Sequence, residues 1–176
     1  ADQALPIDIT AGGVDWEDLE DQGDGILGWS DADSGANGGG SDHFDDAMGI
    51  RVGGNPYGEG DGFFDVSGRT ITGDTLNLAG INVQVQFRPS NTHPIMRQLI
   101  GLTNPTASPI TTSLSWINNS GNDSSQVILR TASGDMTFTP DDGWVVTADD
   151  PDPADTDTET NAWILFGGDN PTVKPD

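Results

Sequence analysis

The sequence predicts an all-β protein, an antiparallel β-sandwich of Ig-like or jelly-roll-like type, with a detached N-terminal strand and acidic glycine-rich loops. Two observations carry this expectation. Gly and Pro are frequent (24 and 11 of 176 residues), and Asp, Gly, Asn and Thr displace the Glu, Lys and Ala runs that favour helices. Short apolar segments then alternate with polar turn clusters nine or ten times along the chain, which is the signature of a sandwich.

The elements follow in order. Leu5-Pro6-Ile7-Asp8-Ile9 alternates, with Leu5, Ile7 and Ile9 on one face. Pro6 cannot donate to a ladder, so this is expected as an edge strand or one added to a neighbour. Val14 to Leu19 reads as one helical turn at most. Phe44 to Val52 and Phe63 to Val66 read as short strands, and Arg69 to Thr72 is expected to pair with Thr75 to Leu78 across Gly73-Asp74. Ile81 to Phe87 alternates strictly, placing Ile81, Val83, Val85 and Phe87 on one face. Ile110 to Ile117 alternates in part. Gln126 to Thr131 and Met136 to Thr139 flank Ser133-Gly134-Asp135 as an expected hairpin. Trp144 to Val146 and Trp163 to Phe166 are late strands. The organisation expected is an N-terminal strand and acidic segment over 1–41, a β-sandwich over 42–169 and a tail over 170–176.

The formal net charge is −23, from 29 acids and 6 bases. It divides unevenly: −15 over residues 1–65, +1 over 66–140 and −9 over 141–176. Such a field repels phosphate backbones and anionic lipid, so neither nucleic acid nor a membrane surface is an expected partner. No apolar run approaches the roughly 20 residues that span a bilayer. Cysteine is absent, which removes disulfides, thiolate metal sites and thiol catalysis together. The chain starts at Ala1 rather than Met, which reads as a mature end left by signal-peptide removal and places the protein outside the cell or on its surface.

Carboxylates on glycine-rich turns point to calcium, which takes several oxygen ligands from flexible backbone. The candidate ligands are Asp21 and Asp24, Asp31 and Asp33, Asp149, Asp150 and Asp152, and Asp155 and Asp157. None of these groups completes an EF-hand loop, and each reads equally as solvated acidic surface. His43 and His93 are the only imidazoles and lie far apart in sequence, which disfavours transition metals.

Adjacent pairs Asp45-Asp46, Asp141-Asp142 and Asp149-Asp150 resemble a glycosidase dyad only as chance among 25 aspartates, and the four glutamates sit in polar stretches. His43 follows Ser41-Asp42 without a Gly-x-Ser-x-Gly elbow, and Gly38-Gly39-Gly40 lacks the lysine of a phosphate loop. The chain is therefore expected not to be an enzyme. Trp116, Trp144 and Trp163 read as core, whereas Trp16, Trp29 and Tyr57, in acidic loop-like sequence, read as a contact surface for glycans. Asn118 and Asn122 open glycosylation sequons that matter only in a glycosylating host.

Asn104-Pro105-Thr106, Ser133-Gly134-Asp135, Asp142-Gly-Trp144 to Asp150, and Phe44-Asp45-Asp46-Ala47 followed by Gly68-Arg69 to Asp74 form a turn-and-strand order. On it, residues 42–166 resemble a loosely defined group of signal-peptide-bearing bacterial surface β-sandwich proteins. The resemblance implies a sandwich and an extracellular location, and carries no activity. The function expected is a structural subunit of an extracellular filament, a head-to-tail homopolymer joined by strand addition of Leu5–Ile9 and dependent on divalent cations. Two alternatives stand beside it: a calcium-dependent adhesion module that binds surface glycans, and a salt-adapted secreted domain without assembly.

Overall fold

The computed structural model describes residues 1–33, 43–121, 126–139, 141–152 and 160–164, and these are all-β: antiparallel strands and no helix. The strands are Asp2–Ala4 (β1), Ile7–Ala11 (β2), Val14–Asp21 (β3), Leu27–Asp33 (β4), Gly49–Val52 (β5), Asn55–Pro56 (β6), Phe63–Ser67 (β7), Thr70–Thr72 (β8), Leu76–Leu78 (β9), Ile81–Pro89 (β10), Met96–Thr103 (β11), Leu114–Ile117 (β12), Val127–Thr131 (β13), Trp144–Ala148 (β14) and Thr160–Ile164 (β15). The largest sheet runs β1-β7-β8-β10-β11, with β9 also on β10. Three-stranded sheets β2-β3-β4, β12-β5-β6 and β13-β14-β15 complete the sandwich-type stack.

β10 follows directly from its sequence. Ile81, Val83, Val85 and Phe87 are all buried while Gln84 and Arg88 are exposed, the period-2 outcome of a half-buried strand. The Arg69–Thr72/Thr75–Leu78 hairpin does not form. Instead β8 pairs β7 and β10, and β9 turns back onto β10 through Ala79 and Gly80. Both turn residues have positive φ (51° and 83°), the two-residue geometry that matches strand twist and here demands a glycine. Gly73-Asp74 is not a turn of this kind; the Gly73 N–H donates to the Val85 carbonyl at 3.0 Å.

Met136 to Thr139 is likewise not a strand, and β13 pairs β14. Asp135 and Asp142 capture the amides of Thr137 and Thr139, so side-chain acceptors replace a ladder there.

The N-terminal strand is not detached. β1 pairs β7, with the Ala1 ammonium 2.7 Å from the Asp65 carboxylate, and β2 pairs β3 after a cis Leu5–Pro6 peptide. Ile7 is buried, and Leu5 and Ile9 pack against the core. The reason is apolar area: Ile7 and Ile9 find Leu19 and Trp16 opposite them in the same chain, so burial is satisfied locally. Nor are residues 1–33 of the expected 1–41 segment separate from the body. One hydrophobic cluster contains Ile7, Trp16, Leu19 and Trp29 together with Ile50, Phe64, Phe87 and Trp163.

Candidate metal centre

Val14 to Leu19 is the start of β3 rather than a helical turn, and an irregularity explains why its alternation is hidden. Across β2–β3 the register is Ile9↔Trp16 but Ile7↔Leu19, so Glu17 and Asp18 together oppose Asp8. This is a β-bulge, with Asp18 at φ 47° and its N–H donating to Asp8 Oδ1 at 2.9 Å. The extra residue resets the parity. Val14 and Trp16 face inward, and so does Leu19.

The bulge leaves Glu17 on the face that Asp31 and Asp33 occupy. Glu17 lies opposite Asp31 across the β3–β4 ladder, and Asp33 is two residues further along β4. One carboxylate oxygen from each of the three comes within 4.8 Å of the others, so a single cation fits between them. Burial raises the Glu17 pKa, and the carboxylates of Asp33, Asp31, Asp8 and Asp18 raise it further. Asp31 is raised by burial too, with Asp33 and Asp45 adding to this and the Ala32 N–H opposing it. Beside them, burial lowers the His43 pKa, against the pull of Asp31 and Asp33. Crowded carboxylates of this kind disfavour one another's ionisation, and a bound divalent cation reverses that.

The other expected ligands are placed differently. Asp21 Oδ1 accepts the Gly23 and Gly25 amides at 2.9 and 2.8 Å, closing its own loop. Asp24 pairs with Arg51 at 2.8 Å. Both carboxylates are thus engaged in holding the turn between β3 and β4. Asp150 Oδ1 accepts the Asp152 N–H, and Asp149 lies just past β14; Asp155 and Asp157 lie outside the described residues, as does Asn122. The Asn118 side chain accepts the Met48 N–H at 2.8 Å.

Trp16, Trp29 and Tyr57 do not form a contact surface. They are 3%, 0% and 1% exposed: Trp16 and Trp29 fill the inner faces of β3 and β4, whose solvent faces carry the acids, and Tyr57, just past β6, turns inward with its hydroxyl on the Asp74 carbonyl. Among the residues expected in the core, Trp163 is buried and Trp116 and Trp144 are half-buried. Asp142, from one candidate catalytic pair, is buried and held down to a pKa of about 2, first by the Ser133 N–H and then by the Thr139 N–H and hydroxyl. A carboxylate so stabilised is a structural acceptor; a general acid needs the opposite shift.

No family model, curated protein or solved structure matches the chain. Among the described residues no helix is long and apolar enough to cross a membrane. Function therefore rests on the site itself. Glu17 is the member of this carboxylate cluster that sequence spacing misses. It lies 14 residues before Asp31 and joins it only through strand pairing. Reading Val14-Asp-Trp16-Glu as alternating strand, rather than as helix, is the signal that finds it.

Proposed function

We propose that the chain is a non-enzymatic structural β-domain of an extracellular surface assembly, and that Glu17, Asp31 and Asp33 hold a calcium ion that stabilises it. The convergence of these three carboxylates from adjacent strands is the observation that supports the reading most directly. Hard oxygen donors on an outer sheet face suit calcium better than a transition metal, and half-exposed sites leave room for water to complete six to eight ligands. A divalent cation there offsets part of the negative charge of strands β3 and β4, which carry Asp15, Glu17, Asp18, Glu20, Asp21, Asp31 and Asp33.

The adhesion alternative loses its aromatic platform to the core, and strand donation by Leu5–Ile9 requires the chain to surrender Ile7 from its own cluster. A calorimetric titration with calcium, compared with Glu17→Gln and Asp31→Asn, tests the cation. Calcium binding with a 1:1 stoichiometry, abolished in both variants, is expected; heat that is unchanged in the variants places any ion elsewhere. Negative-stain microscopy with calcium and with chelator reads the assembly, which is expected only in calcium.

A further inference from the structure

We infer that the free edge of β11 is a self-association surface that pairs, antiparallel, with β11 of a second copy of this chain. β11 is the terminal strand of the largest sheet, and among the described residues only β10 pairs with it. Its ladder with β10 is unbroken over eight residue pairs, from Pro89↔Met96 to Asn82↔Thr103, so its outer N–H and C=O groups form a regular row that no other strand pairs among the described residues. Natural sheet edges are ordinarily blunted by proline, bulges, short length or inward-pointing charge. β11 has no proline and no bulge, and carries one charge, Arg97, on its outward face.

Its exposed apolar side chains add to this. Leu99 is 54% and Leu102 47% exposed, with Ile95 just before the strand at 55%. The edge is also held rigid from beneath. The Gln98 side chain donates to the Met48 carbonyl and accepts from Trp116 Nε1, both at 2.6 Å.

Charge identifies the occupant. Two copies at −23 each repel wherever their carboxylates meet. Residues 75–122 contain no Asp or Glu at all, while Arg88, Arg97 and His93 lie among them. All 29 acids fall in the rest of the chain. The β10–β11 border is therefore where a second copy approaches with least repulsion, and an antiparallel edge is self-complementary about a two-fold axis. An axis at Ile100 sets Leu99 against Gly101 and Arg97 against Thr103, so the two guanidinium groups do not face each other.

The inference does not rest on the cation site, and its test runs in chelator to keep the two apart. Sedimentation equilibrium of the whole chain is expected to show a monomer–dimer equilibrium that strengthens as salt screens the net charge. The double variant Leu99→Lys/Leu102→Lys is expected to be monomeric, with a wild-type circular dichroism spectrum showing that it folds. Amide exchange of the wild type is expected to slow along 96–103 as concentration rises. A wild-type chain that stays monomeric up to about 1 mM, or a dimer that persists in the double variant, overturns the inference.

Discussion

The Trp29 indole meets the Phe87 ring edge-on, with centroids 5.7 Å apart and planes at 83°. Trp29 lies on β4 and Phe87 on β10, so this contact joins the acidic N-terminal sheet to the neutral body, and both residues are fully buried. Trp16 extends the same aromatic seam toward Phe44 and Trp163. Replacing Trp29 with Ala is expected to cost about 3–5 kcal/mol. Because one cluster serves both halves, fluorescence and far-UV circular dichroism should report a single coincident unfolding transition. Two resolved transitions, with the β10 region surviving the first, would show that 1–41 is a separate unit after all.

Tyr57 ties the segment after β8 to β10. Its hydroxyl donates to the Asp74 carbonyl at 2.6 Å and accepts the Val85 N–H at 3.5 Å, and burial pushes its pKa up to about 12. Tyr57→Phe should destabilise by about 1–2 kcal/mol, since the half-buried Asp74 carbonyl loses its donor and the buried Val85 N–H its acceptor. Gly73 lies against the Tyr57 hydroxyl and the Phe64 ring. A Cβ there would press on the Tyr57 hydroxyl and come within 2.8 Å of Phe64 Cζ, so Gly73→Ala should cost about 1–3 kcal/mol. Urea midpoints of the two variants decide both expectations.

How much of this was legible in sequence depends on whether a strand keeps its period. β10 does, and its buried face was readable residue by residue. β3 does not, because the Glu17–Asp18 bulge shifts Leu19 out of phase with Trp16, so that only the short stretch Val14 to Glu17 alternates before it. β11 was missed for a related reason. As a sheet edge it buries only Met96 fully, so Met96 to Thr103 shows no clean alternation. Trp16 and Trp29 were misplaced because their acidic neighbours suggested a loop, when acids on one face of a strand are compatible with tryptophan on the other. Asp31 and Asp33 are legible as a same-face pair because their spacing of two survives on any strand.

Asp142 provides a pH signature. Its folded pKa of about 2 lies below the ordinary 3.8, so the ionised form favours folding. The stabilisation is fully present above about 3.8 and disappears as pH falls from 3.8 toward 2. Asn at 142 offers one carbonyl oxygen where the carboxylate accepts the Ser133 N–H on one oxygen and the Thr139 N–H and hydroxyl on the other. Asp142→Asn should therefore melt earlier than wild type at pH 7, with the gap closing on acidification through that window. A gap constant from pH 7 to pH 2 would mean that the carboxylate's charge contributes nothing.

The triad makes an opposite prediction, in which removing an acid stabilises one condition and destabilises another. In chelator, burial and neighbouring carboxylates favour the protonated forms of Glu17 and Asp31. The sign follows: a raised carboxylate pKa is a cost to folding above the folded pKa, relieved as pH falls. Glu17→Gln removes one charge from the cluster and should melt at or above the wild-type temperature in chelator. With calcium at about 100 times its Kd, the wild type gains about 2.7 kcal/mol by mass action, while the variant, short of a ligand, gains little. The order of the two melting temperatures should therefore cross between chelator and calcium. An additive metal-free defect cannot produce that crossing, since it would lower the variant equally in both. Parallel shifts of wild type and variant would remove Glu17 from the ligand set, and a wild type indifferent to calcium would remove the site.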